Sequence, residues 1–194
     1  MNLAQKEREA AAALPKGSVL AVLYEQHARI RDLFDLVSSA DSPQAKQVAF
    51  DRLRELLAVH EAGEEMVVRP ATRRIASAQV AVARIAEEAE AAHVLANLEK
   101  MDVSTPDFAM ALAEFEQSVS EHAQREEIEE FPYMLAQLSS QDQLKMGERL
   151  LEAEKAARTH PHPGAAGSTT AQFLVGPFAA LLDKARDTFQ DKKD

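Results

Sequence analysis

Residues 56–66 read LLAVHEAGEEM, an apolar run that passes into His60, Glu61, Glu64 and Glu65 with no break in helical spacing. Followed in both directions, the series is Phe50, Leu53, Leu57, His60, Glu64 and Val67. Its steps alternate between three and four residues, which is the pattern of one buried helix face. An imidazole and a carboxylate one turn apart therefore stand on the side of a helix that should be dry. A second stretch repeats the arrangement: Phe108, Leu112, Phe115, Val119, His122 and Glu126.

Two further helices supply one inward histidine each in this reading. Their stripes are Leu20, Leu23, His27, Ile30 and Phe34, and Val82, Ile85, Ala89, His93 and Ala96. The order is thus a helix with a histidine, then a helix with His-x-x-x-Glu, used twice. Ser18, Ser42 with Pro43, and Thr105 with Pro106 mark helix starts, each a capping side chain, twice followed by proline at the first helical position. The expected helices run from Val19, from Pro43 to about Val68, from about Ser77 to Met101, and from Pro106 to about Glu130. Short polar connectors make the first and second, and the third and fourth, antiparallel neighbours. The fold class is all-α: an antiparallel four-helix bundle over residues 18–138, with an N-terminal extension (1–17) and a C-terminal helical extension (139–194).

Composition agrees and narrows the function. With 194 residues the chain suits one domain with a real core. Glycine (6) and aromatic residues (5%) are too scarce for a sheet-rich fold. A formal charge of -10 repels phosphate backbones and anionic lipid, so nucleic acid and membrane are not expected partners. There is no cysteine, so any metal must be held by nitrogen and oxygen. Charges occupy the N-terminal stretch where a signal peptide needs an apolar run, which makes the cytoplasm the expected location.

An ionised carboxylate taken out of water costs several kcal/mol unless it is paired. The stripes offer no lysine or arginine beside Glu64 or Glu126. A pair of divalent cations would supply the missing charge, and a sulfur-free set of imidazoles and carboxylates suits iron, with manganese or zinc next.

The pattern His27, His60-Glu61-x-x-Glu64, His93, His122-x-x-x-Glu126 resembles the hemerythrin-like HHE cation-binding family. The resemblance covers roughly residues 18–135. It implies a non-haem di-iron centre inside a four-helix bundle. Glu64 and Glu126 would bridge the two irons, His27 and His60 would sit near one, His93 and His122 near the other, and an oxo or hydroxo group would complete the bridge. Oxygen-carrying hemerythrin has a second histidine on the third helix and His-x4-Asp on the fourth. Here the flanking positions are Ala89 and Asn97, and the fourth helix has His-x3-Glu. The missing nitrogen leaves Glu90, one turn before His93, and Glu61, beside His60, as carboxylate candidates.

Three functions follow from the resemblance, in order. The first is handling of peroxide, oxygen or nitric oxide, including catalase-like turnover. The second is an iron- or oxygen-responsive sensor that reports through the segment after Pro161, and the third is reversible oxygen storage. Glu129 and Glu130 read as a solvated helix end, Tyr24 as a core tyrosine, and His160 and His162 as surface residues. Gly63 leaves room beside His60, and Pro70 and Pro132 end or kink the second and fourth helices. The final segment, residues 173–189, is apolar on one side and either docks on the bundle or forms a homodimer contact.

Overall fold

A computed structural model describes residues 2–159, with side chains through Lys155. His160, Pro161, His162 and the segment expected to cap the bundle or pair two copies lie outside the described residues. Within them the chain is all helical, without strands. Helix α1 spans Leu3–Ala12, α2 Val19–Ser39 and α3 Pro43–Gly63. A π-helical segment, Glu64–Val68, leads into α4, Arg69–Ile75. There follow α5 Ala78–Leu98, α6 Pro106–Glu129, α7 Phe131–Gln137 and α8 Ser140–Thr159. The bundle is formed by α2, α3 with its continuation α4, α5, and α6 with α7. No described helix is long and apolar enough to cross a membrane.

The starts are where the capping residues put them. Ser18, Ser42, Ser77 and Thr105 each accept a hydrogen bond from the backbone N–H three residues on, and Pro43 and Pro106 stand in the first turn. The second bundle helix does not stop near Val68. Pro70 has no N–H to give and its ring would meet the carbonyl four residues back, so an unbroken α-ladder cannot pass through it. The chain widens by one residue instead: the Arg69 N–H bonds the Glu64 carbonyl, five residues back, and helical structure resumes to Ile75. At Pro132 the fourth bundle helix is interrupted and continues as α7.

Two apolar clusters fill the interior. One gathers Ile30, Phe34, Phe50, Leu53, Leu57, Leu95, Leu98, Phe108, Leu112 and Phe115; the other gathers Val19, Leu20, Leu23, Val68, Phe131, Met134, Met146 and Leu150. His27, His60, Glu61, Glu64, Arg69, Glu88, His122 and Glu126 belong to neither cluster and are all buried.

The flanking helices are bound to this frame. Ala4, Glu7 and Ala11 bury one face of α1 against α2. Helix α8 lies on α2, α3 and the π segment, and two glycines allow it. A Cβ at Gly147 would fall 2.0 Å from the Gly17 carbonyl oxygen and 2.9 Å from the Val19 nitrogen, while one at Gly63 would fall 2.7 Å from Leu150 Cδ1. The space beside Gly63 is thus filled by α8. Backbone cannot yield as a leucine methyl can. Gly147→Ala is therefore expected to lower the thermal midpoint more than Gly63→Ala, the latter costing about 1–3 kcal/mol of overpacking; equal or smaller loss for Gly147→Ala in thermal denaturation would contradict this packing.

Candidate metal centre

Helix α2 delivers His27, α3 delivers His60 and Glu61, the π segment delivers Glu64, α5 delivers Glu88, and α6 delivers His122 and Glu126. Ligand atoms of His27, His60, Glu64 and Glu126 lie within 4.8 Å of one another, and so do those of Glu61, Glu64, Glu88 and His122. The two groups share Glu64, so they are adjacent.

Each imidazole is held from behind. His27 Nδ1 lies 2.8 Å from Glu127 Oε1, His60 Nδ1 2.8 Å from Gln26 Oε1, and His122 Nδ1 2.9 Å from Glu87 Oε2. All three Nδ1 atoms face acceptors, so each Nδ1 carries a hydrogen and Nε2 is the nitrogen each ring turns inward, free to offer a lone pair once any proton on it is displaced. Phe131 stacks on the His27 ring with centroids 5.8 Å apart, and Tyr24 meets Phe131 edge-on, the core role expected of it.

The inward atoms are left over. His27 Nε2, His122 Nε2, Glu61 Oε2, Glu64 Oε1, Glu88 Oε2 and Glu126 Oε2 are buried and have no hydrogen-bond partner. Glu126 stands 3.3 Å from His27 Nε2 and 3.2 Å from His122 Nε2, and His60 Nε2 is 3.8 Å from Glu64. Buried polar atoms are ordinarily satisfied. A cluster of unsatisfied nitrogens and oxygens of ligand type, converging from four helices, fits cations that would take the place of protons. Beside it lies a cavity of about 20 Å³, lined by His27, His60, Glu61 and His122 on one side and Ile30, Phe34, Leu57 and Val119 on the other. That is room for about one water-sized ligand.

Residues 18–134 match the model of the hemerythrin HHE cation binding domain. The chain belongs to that family. It is also 25% identical over 173 residues to an uncharacterized hemerythrin-like protein of Schizosaccharomyces pombe, covering 87% of this chain and 84% of the relative. No solved structure matches it significantly.

The hemerythrin-like centre departs from the expected one on α5. His93 and Glu90 are both exposed, and the buried face of that helix is Ala81, Arg84, Glu88, Ala92, Leu95 and Leu98. The reason is packing. Leu95 and Leu98 are fully buried, whereas Val82 is 60% exposed, so the helix is rotated toward its leucines and brings Glu88 to the place assigned to His93. Glu61 is buried and joins the second group. Glu129 is partly exposed, but Glu130 is buried, accepting from Arg69 Nη1 at 2.9 Å and from Thr72 Oγ1 at 2.5 Å.

A cation of the protein's own was also missed. Arg69 is buried and pairs with Glu64 at 2.8 Å, with Glu130, and closely with Glu88 and Glu126. It was invisible on the α-helical stripe because the π segment adds a residue to the turn and swings position 69 inward. One guanidinium meets four carboxylates, and Glu61 is a fifth buried beside them, so negative charge remains.

Protonation follows from this surplus. Burial raises Glu61 to about 8, helped by Glu88 and Glu126 and opposed by His122. Burial and Glu126 raise Glu64 well above the carboxylate range. Glu126 is held low, since His122 and Arg69 outweigh its burial. Burial alone would lower His27, but Glu126 and Glu127 outweigh it and hold it at about 9. His60, buried and beside His27, is pushed down to about 3.

These shifts fix a pH dependence for protein stripped of metal by a chelator. Glu61 and His27 keep protons in the native chain that the unfolded chain has released, so their contributions are lost as pH rises, Glu61's from 4.5 to about 8 and His27's from 6.5 to about 9. His60 acts in the opposite sense, its contribution being lost as pH falls from 6.5 toward 3. The urea midpoint of the stripped protein should therefore decline between pH 6.5 and 9, and added metal should flatten the decline by replacing the protons. A midpoint constant across that window in the stripped protein is the contrary result.

Proposed function

We propose that the buried layer holds two iron ions and that the protein handles peroxide, disproportionating two H2O2 to O2 and two H2O, with oxygen and nitric oxide as ligands of similar size. What supports this reading above all is the set of unpaired inward atoms, in two groups that share Glu64. His27, His60, Glu64 and Glu126 would hold one ion, and Glu61, Glu64, Glu88 and His122 the other. Nitrogen and oxygen donors without sulfur suit iron, and a carboxylate-rich set suits its oxidised form. Bound iron would supply reversible redox chemistry and Lewis acidity.

The chain's own residues do the rest. Glu127, Gln26 and Glu87 fix the three imidazoles in the tautomer that offers Nε2. Arg69 holds Glu64, Glu88 and Glu126 together between helices. The apolar wall of the cavity limits its contents to a small molecule. Arg31 lines the same cavity; its Nε donates to Glu7 and its Nη1 to Ser120, while Nη2 has no partner and is available to a peroxide oxygen.

Protein purified without added metal is expected to carry about two irons per chain. It should evolve oxygen from peroxide faster than an equal amount of free iron, and His60→Ala should remove that advantage. A rate no better than free iron, with metal still bound, would favour a sensor and contradict the enzyme. The ligand set is checked separately. Glu88→Ala should lower the iron content to about one per chain, while His93→Ala leaves it unchanged; the reverse pattern would return the centre to His93.

A further inference from the structure

Two of the three buried imidazoles are backed by a carboxylate, His27 by Glu127 and His122 by Glu87. His60 is backed by an amide, Gln26 Oε1 at 2.8 Å. An amide can present either end, so by itself it does not choose the tautomer of the ring it faces. Here the choice is made one step further out. Gln26 Nε2 donates to Glu154 Oε1 at 2.8 Å. Glu154 is buried, it comes from α8, and as a carboxylate it accepts only. Gln26 must therefore turn its NH2 toward Glu154 and its oxygen toward His60, which puts the imidazole hydrogen on Nδ1 and the free lone pair on Nε2.

We propose that Glu154 is a positioning residue for the metal centre: through Gln26, helix α8 sets the orientation and tautomer of His60. Helix α8 lies beyond residues 18–134, the part that matches the family model, so this support is added to the domain from outside it. The same helix closes over Gly63, where a Cβ would lie 3.0 Å from Glu154 Cγ. The close seating of α8 on α3 is what brings the carboxylate within reach of Gln26. Coupling of this kind is reciprocal. If a docked α8 improves the hold of His60 on a cation, the bound cation stabilises the docking of α8 by the same factor.

The inference rests on the reading of the buried layer as a metal site, and the test separates the two. Cobalt(II) is titrated into metal-stripped full-length chains and followed by its visible absorption, which reports both affinity and ligand set. Glu154→Met and Gln26→Met, replacements of similar length, should each weaken cobalt binding between about 10- and 100-fold. The double variant should be no weaker than Gln26→Met alone, because the proposed effect of Glu154 on His60 passes through Gln26. Glu154→Gln, which can accept from Gln26 but as an amide can also present its NH2, should bind between wild type and Glu154→Met. Unchanged affinity in Glu154→Met overturns the proposal. So does a double variant in which the two losses add, since that is the mark of general loosening. Should Glu154→Met fail to fold, the comparison of Gln26→Met with wild type decides alone, and equal affinity overturns it. If wild type itself shows no cobalt spectrum, it is the metal-site reading that fails.

Discussion

Five glutamates, Glu61, Glu64, Glu88, Glu126 and Glu130, are buried in the interior of this bundle, and the rest of the structure answers to the need to neutralise them. Each ionised carboxylate removed from water costs several kcal/mol unless something positive meets it. Arg69 meets four of them, and Arg84 lies 3.7 Å from Glu130. Burial raises the Glu61 and Glu64 carboxyls and so favours their neutral forms when nothing else is offered. Cations held by the inward oxygens and imidazole nitrogens would relieve the same strain in charge. In the proposed reading, folding and metal holding draw on one set of residues.

The bundle makes that layer possible by isolating it. Apolar clusters rich in phenylalanine, leucine and methionine fill much of the interior, and the Phe131 ring lies directly on that of His27. The π segment matters for the same reason. By widening the turn ahead of Pro70 it keeps Glu64 inward and also brings Arg69 to the carboxylates. Helices α1 and α8 then add residues that touch the site's supports: Glu7 on Arg31 and Glu154 on Gln26.

Much of this was legible in the sequence, and the failures have physical causes. On α2, α3 and α6 large side chains recur at steps of three and four, so the stripe has one direction, and the histidines and glutamates along it are buried. Helix α5 is rich in alanine, which is small enough to sit on any face. Following Val82 and Ile85 puts His93 inside, whereas following Leu95 and Leu98 puts Glu88 inside. The leucines were the better guide, since they face the phenylalanine cluster. Arg69, Arg84 and Glu130 were beyond a periodicity argument. Charged residues enter a core only with partners, and those partners sit on other helices. A hint existed in the arginine directly before Pro70, where an α-helix cannot continue unchanged.

Cations bound among the unpaired atoms of this layer would occupy two adjacent places with Glu64 between them. Anomalous diffraction at the iron edge, from crystals of the iron-loaded chain, locates them. Two peaks are expected, one against His27 and His60 Nε2 and the other among Glu61, Glu88 and His122. No peak in the layer, or a single one beside the exposed His93 and Glu90, would contradict this placement.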